Sequence, residues 1–577
     1  MNIKDIKSPA DIKRLTVAQL SPLADDLRAA LITKLSRHGG HVGPNLGFLE
    51  PTVALHYVFN APADKIVFDV SHQSYVHKML TGRIEAFIDP AHYDDVTGYT
   101  NPAESPYDLF SIGHTSTSVS LASGLAKARD LTGGKYNVIA VIGDGSLSGG
   151  EAFEGIDYAG TLGTNFIVVV NDNQMSIAET HGSIYRNLAE LRESNGTSPN
   201  NLFKAMGYDY IYVPYGNDIE SLVKAFESVK DSTHPVVVHI NTMKGHGLPV
   251  AEEHKEQFHY SGPFDPATGC LKYQSAAETY ADIFSGMMLQ RMAEDPRVCV
   301  ITADTPGVLG FTPDKRARAG SQFIDVGIAE EQGVAMASGL AADGCRPVMG
   351  VAATFIQRAY DQLSQDVSLN RAAATFVSFY NGVWGLNDST HLGFFTVSMI
   401  SNIPGILYLA PTCREEYMAM LDWVLAYEGG PVFVATPGGA VLSRPGDYAV
   451  DYASAGYETV REGSEVAILA VGDFLPMALE AADLMKRRGI TARVLSPRAI
   501  SRLDTAALDA LKDFRTLITL EDNSVDGGYG QKVAAYLGEA PVKVIVRGLP
   551  KAFPDRFNAA ELLQACGLTP EAIAALA

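Results

Sequence analysis

The chain has 577 residues, 46% hydrophobic and 19% charged, as expected for a globular enzyme of about three domains. Its formal net charge of −21 argues against nucleic acid or an anionic membrane as a partner. Five scattered cysteines without a CxxC pair suggest neither a zinc site nor a disulfide framework. No apolar run reaches a membrane span and no signal-peptide pattern is present, so a cytoplasmic protein is expected.

Predicted helices and strands alternate along the chain, as in α/β proteins. Two helical patterns, at residues 8–35 and 50–60, flank a glycine-rich loop at residues 39–47 that is too irregular to continue a helix. Residues 180–200 are polar and predict a mobile surface segment, and residues 251–264 predict a linker between domains. Further strands are predicted at residues 66–70, 235–240, 298–303, 466–471, 492–495 and 517–521.

Three loops in the first part of the chain carry histidine. His72 directly follows a predicted strand, and the carboxyl ends of parallel strands are where doubly wound sheets bind ligands. His41 lies in the glycine-rich loop, and His114 lies in a third loop that runs into a helix of small residues. A loop histidine often only satisfies backbone groups, but three such loops ahead of one glycine turn favour a shared site.

The stretch at residues 138–176 is the most informative part of the sequence. An apolar strand, a Gly-Asp-Gly-Ser turn, a helix and a second apolar strand lead to the sequence NDNQMS. Two consecutive parallel strands end at the same edge of a sheet, so Asp144 and Asn173 are predicted to lie side by side. One carboxylate and one amide oxygen suit Mg²⁺, which also takes phosphate oxygens. Backbone N–H groups near Gly145 and Ser146 can meet those phosphates.

This GDG…NDN pattern looks like a thiamine diphosphate motif. Its strongest rival is a dinucleotide-binding turn, which requires a third glycine and an acidic residue at the end of the second strand. Here Ser148 stands at the third position, and the second strand leads to Asn173. We therefore expect thiamine diphosphate with Mg²⁺.

A second α/β unit begins near Ser275 and contains a candidate acid–base group, Glu330. A carboxyl group against the aminopyrimidine ring promotes the imino form that removes the cofactor's C2 proton, and apolar neighbours raise a carboxyl pKa. Phe355 either stacks on the pyrimidine or packs in the core. The candidates for proton transfer and for hydrogen bonds to substrate are His41, His259 and His391.

The third unit begins near two glycine turns at residues 438–446 and contains no predicted catalytic cluster. We expect it to serve packing and dimerisation. The predicted fold is three doubly wound α/β domains with mostly parallel sheets: residues 1–265 bind diphosphate and Mg²⁺, residues 266–438 bind the pyrimidine, and residues 439–577 form the third domain.

Stretches along nearly the whole chain resemble the 1-deoxy-D-xylulose-5-phosphate synthase family of the transketolase superfamily. They are GGHVGPNLG, DVSHQSYVHKMLTGR, SIGHTSTS, VIGDGSLSGGEAFEGIDYAG, VNDNQMSIAE, DVGIAEEQGVAMASGLA, TFIQRAYDQ and STHLG. The resemblance implies thiamine diphosphate-dependent decarboxylation of pyruvate and transfer of the two-carbon unit to glyceraldehyde 3-phosphate. The product serves isoprenoid, thiamine and pyridoxal biosynthesis. The resemblance also implies that residues 439–577 form a transketolase C-terminal-like domain. It further implies a homodimer with the active site between the first two domains of one subunit.

The resemblance also implies roles for individual residues. His41 and His391 act on substrate, and His259 lies on a mobile segment that covers the site. Glu330 contacts the pyrimidine. The residues implied to bind the cofactor are His72, Gly113, His114, Thr115, Gly145, Ser146, Asn173, Ile328 and Phe355. Those implied to bind substrate are Arg358, Asn387 and Asp388, and those implied to hold Mg²⁺ are Asp144, Asn173 and the Met175 carbonyl.

The chain departs from the family pattern where the acceptor phosphate binds. The family has arginines in DRAG and YPRG stretches, where this chain has Tyr380 and Gly438. A tyrosine is replaced by Ala352, and an aspartate four residues before the histidine by Asn387. Only Arg358 remains of the acceptor-phosphate arginines. Charge-assisted hydrogen bonds contribute about 1.5–3 kcal/mol each, so weak binding of the phosphorylated aldehyde is expected.

Three functions are compatible with these residues. The first is the synthase reaction. The second keeps the thiamine chemistry but uses a different aldehyde acceptor, for example an unphosphorylated one. The third is a cofactor-binding protein without turnover. The retained Glu330, Asp144 and Asn173 argue against the third, because a protein without turnover has no need of Glu330.

Overall fold

The computed structural model describes residues 1–577, and the chain forms two compact units. Unit 1 comprises Met1–Ala276 and Gly327–Ala329, and unit 2 comprises Ala277–Val326 and Glu330–Ala577. None of the helices combines the length and the apolar character needed to cross a lipid bilayer.

Unit 1 is built on a five-stranded, fully parallel sheet. Its strands are β1 (Lys65–Phe68), β2 (Val138–Gly143), β3 (Phe166–Asp172), β4 (Asp209–Val213) and β5 (Pro235–Asn241). Their spatial order is β1-β2-β3-β5-β4. The central strands are continuous valine and isoleucine runs because both faces of the sheet are covered.

Helices cover both faces of this sheet. They are α1 (Pro9–Ile12), α2 (Val17–His38), α3 (Val42–Gly47), α4 (Leu49–Val58), α5 (Tyr75–Lys78), α6 (Glu85–Ile88), α7 (Ser118–Thr132), α8 (Gly150–Gly160), α9 (Ile184–Glu193), α10 (Leu202–Ala205), α11 (Ile219–Val229) and α12 (Pro249–Glu253). Alternate residues of β2 point to opposite faces: Ile139 and Val141 belong to one apolar core, and Val138, Ala140 and Ile142 to the other.

A buried polar network lies beneath the loop that carries His72. His56 Nε2 lies 2.9 Å from His77 Nδ1, and His77 Nε2 lies 2.8 Å from Asp108 Oδ1. Arg83 donates to both carboxylate oxygens of Asp108, at 2.7 and 2.8 Å. Burial outweighs the neighbouring carboxylate and lowers the pKa of His77. The network holds α5 against the segment that ends at Asp108.

Unit 2 contains two sheets. The first has the strand order β10-β11-β9-β8-β6-β7 and is fully parallel. Its strands are β6 (Val298–Thr302), β7 (Phe323–Asp325), β8 (Arg346–Ala352), β9 (Thr375–Phe379), β10 (Leu407–Leu409) and β11 (Val432–Ala435). The second has the order β12-β14-β13-β15-β16, with only β12 antiparallel. Its strands are β12 (Glu458–Arg461), β13 (Val466–Ala470), β14 (Ala492–Ser496), β15 (Thr516–Ser524) and β16 (Lys543–Leu549).

The helices of unit 2 are α13 (Tyr280–Glu294), α14 (Pro313–Ala319), α15 (Glu330–Ala342), α16 (Tyr360–Gln362), α17 (Thr396–Ile400), α18 (Arg414–Ala426), α19 (Leu475–Arg487), α20 (Thr505–Asp509), α21 (Tyr529–Tyr536), α22 (Ala559–Ala565) and α23 (Pro570–Ala574). The predicted α/β class with mostly parallel sheets is confirmed. The domain boundaries predicted at residues 265 and 438 stay a prediction, because the two compact units keep the second and third sheets together.

Three local predictions were wrong. The glycine-rich loop contains a short helix, α3, directly after His41. The supposed mobile segment at residues 180–200 contains α9, whose Leu188 and Leu191 are buried in the core of unit 1. The supposed linker at residues 251–264 is part of unit 1, because Phe258 and Phe264 are fully buried there.

Candidate functional site

The parallel pairing of β2 with β3 sets the geometry of the site in unit 1. Gly143 is in register with Asn171, and the N–H of Asp144 donates to the Asn171 carbonyl at 3.0 Å. Asp144 therefore begins the loop after β2 beside the place where Asn173 begins the loop after β3. The predicted neighbourhood of these two loops is confirmed.

Asp144 has the electrostatics of a cation ligand. Its Oδ1 accepts the N–H of Gly145 at 3.1 Å, whereas its Oδ2 is buried and has no hydrogen-bond partner. Burial, followed by the nearby carboxyl of Asp172, raises the pKa of Asp144 well above its usual range. An unsatisfied buried oxygen costs free energy, so the geometry suits a positive ion at this atom.

The loop after β3 offers further oxygen atoms at the same edge. Asn173 Oδ1 accepts the Met175 N–H at 3.1 Å, which closes a turn in which Gln174 has a φ of 62°. No cluster of three or more His, Cys, Asp or Glu side chains that could hold a metal ion occurs in the structure. A set of one carboxylate, one amide oxygen and one backbone carbonyl matches Mg²⁺, which fills its remaining positions with phosphate or water oxygens.

The glycine turn brings backbone close to the same edge. A Cβ at Gly145 would lie 2.4 Å from Ser176 Oγ, so only glycine fits there. Ser116 Oγ donates to the carbonyl of Ser146 at 2.9 Å. Asp69 in turn accepts the N–H groups of Ser116 and Ser118, both at 2.9 Å, and fixes the start of α7. The turn after β2 is therefore packed against Ser176 and tied to the start of α7.

Three histidines meet in unit 1. The ring centroid of His41 lies 5.1 Å from that of His72 and 5.9 Å from that of His259. The rings of His72 and His259 stack with their centroids 5.2 Å apart. The amide of Asn45 donates to the carbonyls of His41 and His72, at 2.8 and 2.7 Å, and ties the two loops together. The structure thus brings together His41 and His72, two of the three loop histidines predicted to share a site, and adds His259 to them.

Lys244 belongs to this cluster, and sequence reasoning missed it. Its Nζ lies 3.2 Å from His259 Nδ1 and donates to the carbonyl of Ser176, and its side chain is buried. Burial and then the charge of Lys244 lower the pKa of His259 well below its usual range, so that this imidazole is neutral. A lysine next to a glycine turn in a protein of net charge −21 was the available signal.

Glu330 is the first residue of α15 in unit 2 and is 3% exposed. Its Oε2 lies 3.7 Å from Arg358 Nη1 and has no hydrogen-bond partner. Burial raises the pKa of Glu330 to about 7, although Arg358 acts in the opposite direction. The predicted apolar setting of this carboxyl group is confirmed.

His391 and Phe355 are also neighbours in unit 2, with ring centroids 5.5 Å apart. Thr390 Oγ1 lies 2.8 Å from His391 Nδ1, and Asp388 Oδ1 lies 3.7 Å from the same nitrogen. Burial raises the pKa of Asp388, but hydrogen bonds from His391 and Thr390 outweigh it and lower that pKa. The Thr390 hydroxyl, which donates to Asp388 Oδ1, therefore links Asp388 to His391.

The remaining predicted residues are placed as follows. The Asn387 amide donates to the Phe557 carbonyl at 3.0 Å rather than towards His391. Gly113 is buried, and His114 and Thr115 are half-buried in the loop before α7. The N–H of Ile328, in the short segment that belongs to unit 1, donates to Ser148 Oγ at 2.9 Å.

A pocket in unit 2, lined in part by Asn381 and Pro437, holds two acidic side chains that the sequence did not predict. It is lined by Asp473, after β13, and Asp522, at the end of β15. Burial raises the pKa of Asp473 to about 7 and that of Asp522 to about 6, and Asp522 further raises that of Asp473. The N–H of Gly438 donates to Asp473 Oδ2 at 2.7 Å, and Tyr380 has a φ of 58°.

Three family models match the chain. The model for 1-deoxy-D-xylulose-5-phosphate synthase matches residues 3–198, the transketolase pyrimidine-binding domain residues 277–442, and the transketolase C-terminal domain residues 456–573. A 1-deoxy-D-xylulose-5-phosphate synthase of Symbiobacterium thermophilum is 38% identical over 100% of this chain and 94% of its own length. The chain belongs to the 1-deoxy-D-xylulose-5-phosphate synthase family.

Another member of the 1-deoxy-D-xylulose-5-phosphate synthase family, synthase 2 of Geobacter sulfurreducens, is 40% identical over 99% of this chain and 97% of its own length. Among solved structures, a Pichia stipitis transketolase is 17% identical with a TM-score of 0.46 and covers 96% of this chain and 95% of its own. Leishmania mexicana transketolase is 16% identical with a TM-score of 0.46 and covers 97% of both chains. We draw no functional conclusion from these two structural likenesses.

The raised pKa of Glu330 predicts a pH-dependent gain in stability for Glu330→Gln. The folded protein keeps this proton up to about pH 7, whereas the unfolded chain releases it near its ordinary value of 4.5. The contribution of protonated Glu330 to the free energy of unfolding is therefore fully present below pH 4.5 and is lost as the pH rises through about 7. At pH 8 the cofactor-free variant should be more stable than the wild type by up to about 3 kcal/mol.

Urea unfolding midpoints at pH 5 and pH 8 check this expectation, with the adjacent Glu331→Gln as control. The gain should be much smaller at pH 5 and absent in the control at both values. An equal midpoint for Glu330→Gln and wild type at pH 8 would show that the carboxyl group is ionised without penalty.

Proposed function

We propose that the protein is a 1-deoxy-D-xylulose-5-phosphate synthase. It decarboxylates pyruvate and transfers the two-carbon unit to glyceraldehyde 3-phosphate, releasing CO₂ and forming a precursor of isoprenoids, with thiamine diphosphate and Mg²⁺ as cofactors. Full-length relatives of that name support the reaction. The structural observation that carries the proposal is the unsatisfied, buried Oδ2 of Asp144 beside the Asn173 turn.

The loops after β2 and β3 fit the metal and the diphosphate. Asp144, the Asn173 amide oxygen and the Met175 carbonyl would hold Mg²⁺, and the backbone around Gly145 and Ser146 would face the phosphate oxygens. The donor chemistry of these loops supports this assignment. Gly113, His114, Thr115 and Ile328 are assigned to cofactor binding on sequence resemblance.

Thiamine diphosphate, when bound, supplies an ylid that stabilises a carbanion. Glu330 is suited to share a proton with the aminopyrimidine ring, because a carboxyl group with a pKa of about 7 exchanges a proton readily at neutral pH. Arg358 limits how far burial can raise that pKa. Phe355 would provide an apolar surface for the pyrimidine, and burial of Glu330 excludes water from its carboxyl group.

The histidines would act on the substrate. His41 and His391 are nearly buried, at 9% and 8% exposure, so their hydrogen bonds to substrate oxygens would form away from bulk water. His259 is neutral and packs on His72, so it can accept a proton, and Lys244 beside it provides a positive charge. Asp388 would hold His391 in the orientation needed for proton transfer.

The acceptor is glyceraldehyde 3-phosphate, and no observation favours a different aldehyde. Arg358 is assigned to the acceptor on sequence resemblance, as are Asn387 and Asp388. The weak phosphate binding expected from Tyr380 and Gly438 stays a prediction. A cofactor-binding protein without turnover is not favoured, since Glu330 keeps the burial and the raised pKa that catalysis uses.

We also propose a homodimer, and the cytoplasmic location stays a prediction. Exposed apolar side chains on two helices of unit 1 that pack together support association: Leu131, on α7, is 77% exposed, and Phe153 and Tyr158, on α8, are 36% and 50% exposed. Sedimentation equilibrium should give about twice the chain mass of 61.8 kDa. A mass of one chain at micromolar concentration would contradict the dimer.

The reaction itself is tested by incubating the protein with pyruvate, glyceraldehyde 3-phosphate, thiamine diphosphate and Mg²⁺. Stoichiometric CO₂ and 1-deoxy-D-xylulose 5-phosphate are expected by NMR. Asp144→Ala should lose activity by more than about 100-fold, because the metal loses its only carboxylate. The matched control is Asp157→Ala, an exposed aspartate on α8, which should be active.

A parallel assay with unphosphorylated glyceraldehyde separates the two acceptor hypotheses. Faster turnover of the unphosphorylated aldehyde at equal concentration would contradict glyceraldehyde 3-phosphate as the acceptor. Failure to decarboxylate pyruvate with either acceptor would contradict the proposed function as a whole.

A further inference from the structure

Helix α9 (Ile184–Glu193) follows the turn at residues 173–175 in the chain and packs on the core of unit 1. Leu188 and Leu191 are buried in the apolar core beside the sheet. After the helix, Ser198 donates to Glu190 and the Asn200 amide donates to the same carboxylate at 2.7 Å. These contacts explain why the segment is folded, but they do not involve the site.

Arg192 joins α9 to the end of β3. Its guanidinium donates to Asp172 Oδ2, and Asp172 is fully buried. The same oxygen lies 2.8 Å from His239 Nε2, and His239 Nδ1 lies 2.7 Å from the Tyr210 hydroxyl. A buried carboxylate needs such partners, because removing one of them leaves a charge that the protein interior does not solvate.

Asp172 also contacts the turn at residues 173–175. Its second oxygen, Oδ1, accepts the N–H of Gln174 at 3.2 Å. Gln174 is the residue with a φ of 62°, between Asn173 and Met175, so the hydrogen bond supports a backbone conformation that non-glycine residues rarely adopt. The orientation of two of the three assigned Mg²⁺ ligands therefore depends on Asp172.

Tyr185 makes a second connection, from α9 to the other loop. Its hydroxyl lies 3.3 Å from the carbonyl of Asp144 and 3.3 Å from that of Gly145. One helix therefore contacts the loop after β2 through Tyr185 and the loop after β3 through Arg192. Apolar packing of α9 would not need either polar contact, because Leu188 and Leu191 supply the burial.

We propose that Tyr185 and Arg192 are positioning residues that hold the two metal-binding loops in register, so that α9 sets the affinity for Mg²⁺ and thiamine diphosphate. This inference rests on the proposed function, which assigns the metal to Asp144, Asn173 and Met175. Neither side chain touches the metal in this proposal. Groups that orient metal ligands typically contribute about 10- to 100-fold to metal affinity.

The test is a calorimetric titration of Mg²⁺ into the full-length protein with saturating thiamine diphosphate. Arg192→Met removes the charge and keeps most of the side-chain volume, and it should weaken Mg²⁺ binding by at least about tenfold. Arg192→Lys keeps one charge and should recover most of the affinity. Tyr185→Phe removes only the hydroxyl group and should weaken binding by about threefold or more.

The matched control is Arg186→Met, an arginine that is exposed on the same helix. It should bind Mg²⁺ like the wild type. The KM for pyruvate, measured at saturating Mg²⁺ and thiamine diphosphate, should be unchanged in Arg192→Met, since a positioning role affects the metal rather than the substrate. Urea unfolding of the cofactor-free proteins shows whether each variant is folded. If Arg192→Met does not fold, the Mg²⁺ affinity of Tyr185→Phe tests the positioning role.

Wild-type Mg²⁺ affinity in both Arg192→Met and Tyr185→Phe would overturn the inference, as would an equal loss in Arg186→Met. Failure of Arg192→Lys to recover affinity would overturn the role assigned to the charge. If the wild-type protein itself binds no Mg²⁺ with thiamine diphosphate, the proposed function fails first, and this result is distinguishable from the others.

Discussion

The parallel pairing of β2 with β3 is the constraint on which the rest of unit 1 depends. It places two loops at one edge of the sheet, and the buried Oδ2 of Asp144 stands there without a hydrogen-bond partner. Burying such an atom without a partner costs free energy, and a bound cation at this atom would offset that cost. Gly145, the Asn173 turn and α9 all lie at this edge. A change in the register of the two strands would move these groups apart.

The electrostatics of the site are determined by a few nearby side chains rather than by the net charge of the protein. The formal net charge of −21 disfavours anionic ligands, but the buried Lys244 places a positive charge beside the loop after β3, whereas the charge of Arg192 is balanced by Asp172. In unit 2, burial raises the pKa of Glu330, as it does that of Asp144, and Arg358 moderates that effect. Both units thus bury a carboxyl group whose pKa is raised, which is a common property of functional carboxyl groups.

The sequence predicted those features that depend on local pattern. Apolar runs gave the strands, and the spacing of the GDG and NDN motifs gave the meeting of Asp144 with Asn173. It did not predict features that depend on contacts between distant residues. Residues 180–200 appeared mobile because most of their side chains are polar, yet two buried leucines and the Arg192–Asp172 pair order them. Residues 251–264 lack helical or strand periodicity, but Phe258 and Phe264 pack into the core. Lys244 escaped notice because its role depends on its proximity to His259.

The central claim is that the carboxyl edge of β2 and β3 binds Mg²⁺ together with thiamine diphosphate. A crystal structure of the protein grown with both, with Mn²⁺ as an anomalous scatterer in place of Mg²⁺, tests it directly. The account predicts one metal ion coordinated by Asp144, by the Asn173 side-chain oxygen and by the Met175 carbonyl, with diphosphate oxygens completing an octahedron at distances of about 2.0–2.2 Å. A metal ion held by other residues, or a cofactor bound away from the loops after β2 and β3, would contradict the account.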